Sequence, residues 1–118
     1  MPARTDKAAR VLKKPAADLA TVFFALGDKT RLQMIAVLCA GGAFSIAQLT
    51  ANTDLTRQAV TKHLQVLADA GLVQDLKVGR ERLWQFNPEP LKQARGSLEQ
   101  ISQHWDQALL RLKLAVEG

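Results

Sequence analysis

A single cysteine, Cys39, is all the thiol this chain has. It can form no internal disulfide, and alone it cannot build a thiolate metal cage. No apolar run approaches the ~18 residues of a membrane span, and the N-terminus lacks the apolar core and small-residue cleavage site of a secretory signal. A cytoplasmic protein without membrane contact is therefore expected. Also missing are a Gly-rich phosphate loop, a suitably placed Ser-His-Asp set and a pair of cleft carboxylates, so no enzyme is expected. Low-complexity tracts are absent, and 47% of the 118 residues are apolar against 23% charged, which reads as one globular domain. A chain of this length buries roughly 65% of its unfolded surface, enough for one core.

What is present is a net charge of +5, with a pI of about 9.8, unevenly spread. Residues 1–14 carry Arg4, Lys7, Arg10, Lys13 and Lys14 against Asp6 alone. They are expected to form a flexible basic tail, either a phosphate clamp or a solubilising extension. The folded domain, 15–118, is close to neutral, with eleven basic and ten acidic residues. Any strong field there must arise from local clustering.

Apolar spacing of three and four residues dominates and predicts a mostly helical fold with one interruption. Pro15 and Gly27 bound a first helix carrying Leu19, Val22, Phe23 and Leu26. Asp28 caps a second, with Leu32, Ile35, Leu38 and Cys39 on its apolar face and Lys29, Arg31 and Gln33 opposite, ending at Gly41-Gly42. Ser45 and Gln48 have the spacing of a capping box for a short third helix, about 45–52. After the turn-forming "NTDL", Thr56 caps a fourth helix that runs to Gly71, a left-handed C′ position. "LVQDLKVGRERLWQF" then reads as a hairpin over 72–87 about a Gly79-Arg80 type II′ loop, pairing Leu76 with Leu83 toward the core. Asn87 and two prolines open a last helix, about 88–116.

The fourth helix separates its faces. Val60, Leu64 and Leu67 share a narrow stripe, Gln58, Lys62 and Gln65 lie opposite, and Thr61 borders them. Its only acid is Asp69, in the last turn. Amide and hydroxyl side chains for base edges, flanking cations and an unopposed N-terminus suit a helix that enters the major groove of double-stranded DNA. A short capped helix, a tight turn and this helix form a helix-turn-helix. On the hairpin, Lys77 falls opposite Arg82 with Arg80 at the tip, and an anion such as a phosphate relieves that repulsion. A solvated helix face and a solvated hairpin remain the plainer readings of both.

Leu91, Ala94, Leu98, Ile101, Trp105, Ala108, Leu112 and Ala115 alternate steps of three and four along the last helix, and Leu109, Leu110, Leu114 and Val116 widen the seam. That is more apolar surface than one small domain covers. A homodimer through the first and last helices is expected, with Leu19, Phe23, Leu98, Ile101, Trp105, Leu109 and Leu112 at its interface. The fold class expected is mainly α: a winged helix-turn-helix of five helices and a two-stranded β-hairpin.

"LGDKTRLQMIAVL", "SIAQL" followed by "LTRQAVTKHLQVLADAGLV", and "VGRERLWQF" together resemble the ArsR-type winged-helix repressors over about residues 16–116. The resemblance implies a homodimeric transcription regulator, usually a repressor released from its operator by a small-molecule effector. It also implies DNA contact from Arg57, Gln58, Thr61 and Lys62. His63 matches a frequent family histidine and is expected to be structural or phosphate-adjacent; Gln65, Lys77, Arg80 and Arg82 complete the candidate DNA-binding set.

The departures matter as well. Ser45 and Ala47 stand where metal-sensing relatives carry Cys-x-Cys, and His104-Trp105-Asp106 reverses the order of a second family site. No metal or other cofactor is expected, as in a metal-free subgroup whose ending is similar. Cys39 is expected to be a small buried hydrophobe. The competing function is a winged-helix protein-interaction module that binds no specific DNA.

Overall fold

The computed structural model describes residues 19–117; the basic segment 1–14 and the expected helix start at Pro15 lie outside them. The elements run α1 (19–26), α2 (Lys29–Gly41), β1 (Ala43–Phe44), α3 (Ile46–Ala51), α4 (Arg57–Asp69), β2 (Val73–Val78), β3 (Glu81–Phe86) and α5 (Glu89–Glu117). None of the described helices is long and apolar enough to cross a membrane.

Local chemistry sets most of the boundaries. Asp28 Oδ2 accepts the Arg31 amide at 3.0 Å and starts α2. The α3 capping box forms as expected, the Gln48 amide donating to Ser45 Oγ at 3.1 Å and the Ser45 amide to Gln48 Oε1 at 2.9 Å. Thr56 Oγ1 accepts the Ala59 amide at 3.1 Å and starts α4. At the other end of α4, Gly71 takes φ 76°, its amide reaching Ala68 O and that of Leu72 reaching Leu67 O. This is a Schellman closure, and its accompanying apolar contact is supplied by Leu67 and Leu72, both fully buried.

The core lies where α1, α2, α3 and α4 meet one face of the sheet. Val60, Leu64 and Leu67 are each 0% exposed, and burying each side chain contributes about 1.5–3 kcal/mol. On α2 the buried residues are Met34, Ile35 and Leu38, while Leu32 and Cys39 are exposed. The expected apolar face is thus turned toward Met34. At ~100° per residue, Leu32 and Cys39 fall on the far side of Ile35 from that arc. Cys39 is consequently not the buried hydrophobe that its spacing suggested.

The wing has a third strand. β1 pairs antiparallel with β3 through Ala43↔Gln85 and Phe44↔Trp84, giving the order β1-β3-β2 instead of a two-stranded hairpin. A two-residue strand is too short to show a period in sequence; it exists because β3 offers it an edge. A Cβ at Gly41 would collide with the Phe44 ring, so glycine at the end of α2 makes room for β1. The β2–β3 register agrees with expectation, including Lys77↔Arg82, and Gly79 alone takes positive φ in the loop, as a II′ turn requires. Leu76 does pair with Leu83, but not toward the core. Trp84 and Val73 occupy the buried face, and strand alternation puts Leu76, 42% exposed, on the other.

Asn87 fastens the last helix: its amide donates to Leu72 O, its Nδ2 to Gly71 O, and its Oδ1 accepts from the Glu89 amide. Only Ala94 of α5 is fully buried. The rest of this 29-residue helix contributes to a molecule 65 Å in its longest dimension and 21 Å in its shortest.

Candidate nucleic-acid interface

Helix α4 is seated by its dry stripe and opened by its Thr56 cap, so its remaining positions are free to face outward. Arg57, Gln58, Thr61, Lys62 and Gln65 are all exposed. Thr61 Oγ1 donates to Arg57 O at 2.8 Å, which fixes its rotamer and leaves oxygen lone pairs to accept a further bond. Gln65 Nε2 donates to Asp69 Oδ1 at 2.9 Å, so this amide is engaged with the helix's one acid. Arg57, Gln58 and Lys62 have no side-chain partner among the described residues. The first two turns therefore present two cations and an amide with no acid beside them.

His63 sits at the border of the stripe, with 23% of its side chain exposed. Its Nδ1 lies 3.4 Å from Arg31 Nη1 and 3.9 Å from Asp28 Oδ2, which ties α4 to the start of α2. Arg31 also reaches α1, donating from Nε to Ala25 O at 2.7 Å and from Nη2 to Phe24 O at 3.2 Å. Its guanidinium lies 5.4 Å from the centroid of the Phe24 ring. The backbone hydrogen bond from Arg31 holds the Asp28 carboxyl below its ordinary 3.8, burial opposes this, and the Arg31 charge adds to the lowering.

Arg31 was not among the candidate residues. A signal for it existed, since a basic residue in the first turn opposes that helix's own dipole. Here the cation instead meets the carbonyl end of α1, where the dipole favours it.

On the wing, Lys77 and Arg82 lie directly opposite each other. The repulsion between them is relieved within the chain, however, because Arg82 Nε donates to Asp75 Oδ2 at 2.9 Å and its guanidinium stacks 4.7 Å from the Trp84 ring centroid. Asp75 shares that face two residues before Lys77, so an acid stands within the cluster itself. Lys77 and Arg80 remain without a side-chain partner among the described residues, and both are exposed.

From Leu98 onward the apolar seam of α5 is largely bare. Leu98, Ile101, Trp105, Leu109 and Leu112 are 51%, 61%, 62%, 45% and 61% exposed. The seam continues into an apolar groove of about 400 Å³ between α1 and α5, lined by Phe23, Leu26, Leu91 and Leu98 among others. Leu19 is half-buried against the core. A second cavity, of about 430 Å³, lies between α2 and the turn that leads into α4, with Met34, Val37, Leu49 and Leu55 as its apolar wall. No group of three or more His, Cys, Asp or Glu that could hold a metal occurs among the described residues. Ser45, at the first family thiolate position, is committed to capping α3.

A capped helix pair across a tight turn, with an exposed, acid-free second helix and a cation-tipped hairpin beside it, defines a winged helix-turn-helix DNA-binding protein. Residues 26–74 match a helix-turn-helix domain family. The chain is 42% identical over 77 residues to an uncharacterized HTH-type transcriptional regulator, YuzN, of Bacillus subtilis (strain 168), covering 60% of this chain and 84% of that protein. It is 35% identical over 85 residues to the HTH-type transcriptional regulator Rv2034 of Mycobacterium tuberculosis, covering 72% and 76%. Among solved structures, an ArsR-like transcriptional regulator from Rhodococcus sp. RHA1 superposes with a TM-score of 0.80 at 37% identity, over 86% of this chain and 92% of that one. The chain belongs to the ArsR-type winged helix-turn-helix transcriptional regulators, a family of DNA-binding proteins and not of enzymes.

Proposed function

We propose that two copies associate through α1 and α5 into a cytoplasmic homodimer that represses transcription from a palindromic operator. In this reading α4 lies in the major groove. Gln58 and Thr61 address base edges, Arg57 and Lys62 the flanking phosphates, and the wing contacts the backbone through Lys77 and Arg80. Arg82, neutralised by Asp75, orients the wing and contributes less charge than its position suggests. His63 serves the helix's seating, and Gln65 is a secondary contact.

The observation that carries this reading is the acid-free first half of α4, whose only acid, Asp69, is both remote and bonded to Gln65. The apolar stripe of α5 supports the dimer, because a free protomer would leave Ile101 and Trp105 in water. The cavity behind the turn supports a small-molecule effector: a ligand wedged against Leu55 acts directly on the segment that sets the angle of α4.

Footprinting of the DNA upstream of the protein's own gene tests the proposal. Two protected half-sites about 34 Å apart, with affinity falling steeply as salt rises, are expected. Uniform weak protection with no preferred site removes the operator reading.

A further inference from the structure

Arg31 joins three elements at one guanidinium. Two of its nitrogens donate to the α1 carbonyls of Ala25 and Phe24, and the third, Nη1, points at Nδ1 of His63 on α4 at 3.4 Å. A guanidinium can only donate, so a hydrogen bond at this contact requires Nδ1 as the acceptor, which is the neutral imidazole with its proton on Nε2. Asp28 Oδ2 waits 3.9 Å from the same Nδ1. A proton placed on Nδ1 turns the acceptor into a donor. It then sets two cations against each other and offers the new N–H to Asp28.

We propose that Arg31 is a positioning residue that holds the recognition helix to α1 through neutral His63, and that protonation of His63 moves the imidazole to Asp28 and lowers operator affinity. The proposal rests on the DNA-reading function of α4 given above. The opposing partners are close and few. The described residues of α1 (19–26) and all of α3 carry no ionisable group, and α2 supplies Asp28, Arg31 and the outward Lys29. On α4 itself Arg57 and Lys62 are exposed and Asp69 is bonded to Gln65. Asp75, on the strand packed against α4, is held by Arg82. The exchange at His63 is thus between one cation and one carboxylate. Both belong to α2, but only the cation is anchored on the α1 side of the proposed dimer.

The test uses His63→Asn, whose Oδ1 can stand near the Nδ1 position and accept from Arg31 without titrating. Operator affinity of both full-length proteins is measured at about pH 8 and about pH 5.5, either side of the range in which histidine changes charge. The ratio of the two affinities at the higher pH is the reference. At the lower pH the wild type falls by about tenfold relative to the variant, the effect of losing one modest hydrogen bond from each protomer. A ratio that stays constant with pH overturns the proposal. So does a wild type that gains on acidification, which would make His63⁺ a phosphate contact.

A second readout needs no DNA. Long-range ¹H–¹⁵N spectra of the imidazole, assigned by the signal lost in His63→Asn, are expected to show the Nε2–H tautomer at about pH 8. An Nδ1–H tautomer overturns the Arg31 bond itself. If neither protein binds any site with salt dependence, the operator reading fails and takes the affinity part of this proposal with it, while the tautomer still decides the Arg31–His63 bond.

Discussion

Replacing Lys62 with alanine is expected to change the salt dependence of operator binding by an amount that can be worked out beforehand. The Lys62 side chain is exposed on α4 and makes no hydrogen bond or ion pair with the described residues, so its loss leaves the protomer's fold and melting temperature unchanged. Each phosphate neutralised on B-DNA contributes about 0.9 to the slope of log affinity against log salt. A dimer carries two copies, so the slope is expected to become shallower by about 1.8. At about 0.1 M salt, against a 1 M reference where this contribution vanishes, that is about 60-fold in affinity, or ~2.4 kcal/mol.

Fluorescence anisotropy titrations of a labelled operator from about 50 to about 300 mM salt measure both quantities. Arg82→Ala is the informative companion. Its guanidinium is already matched by Asp75 at 2.9 Å, and removing it should move the slope by less than half as much. An unchanged slope in Lys62→Ala refutes the phosphate role of α4. Equal changes in the two variants refute the inference that Asp75 neutralises the wing arginine.

Two further outcomes test the dimer and the cap at α2. Ile101→Glu should dissociate the dimer at micromolar concentration in sedimentation velocity, since the 61% of each Ile left to be buried supplies about 0.9–1.8 kcal/mol and two copies are lost, at least about a 20-fold change in dissociation constant. Ile101 is 61% exposed in the protomer, so a dimer that survives the change places the interface elsewhere. For Asp28→Asn the sign follows from the carboxyl lying below its ordinary 3.8 when folded. Its stabilisation is complete above that value and is lost as pH falls through the lower folded one. The melting temperature of the wild type should exceed that of the variant near neutrality, and the gap should close on acidification below about 3.8. A gap that persists unchanged in strong acid would show that the Asp28 charge contributes nothing.

Much of the fold was legible because it is local. Capping residues, the left-handed glycines and the three-four spacing act within one turn of chain, and Ser45, Thr56, Gly71 and Gly79 all do in three dimensions what their neighbours in sequence require. The exposed residues of α4 were legible for the same reason, since one helix presents fixed faces. The misreadings came from interactions between segments far apart in sequence. The inward arc of α2 is chosen by what packs on it, so Met34 went in and Leu32 and Cys39 stayed out. The strand Ala43–Phe44 exists only beside β3.

Charge shows the same division. Sequence alone determined that cations lie on α4 and on the hairpin, with acid scarce on α4. Only the tertiary structure decided which of them stay available. Arg82 is matched by Asp75, and Arg31, which looked like one more surface cation, is drawn into a bridge between α1 and the recognition helix. Spacing along a chain determines which face a side chain occupies, but its partner is set by where the other elements dock. An electrostatic role depends on both.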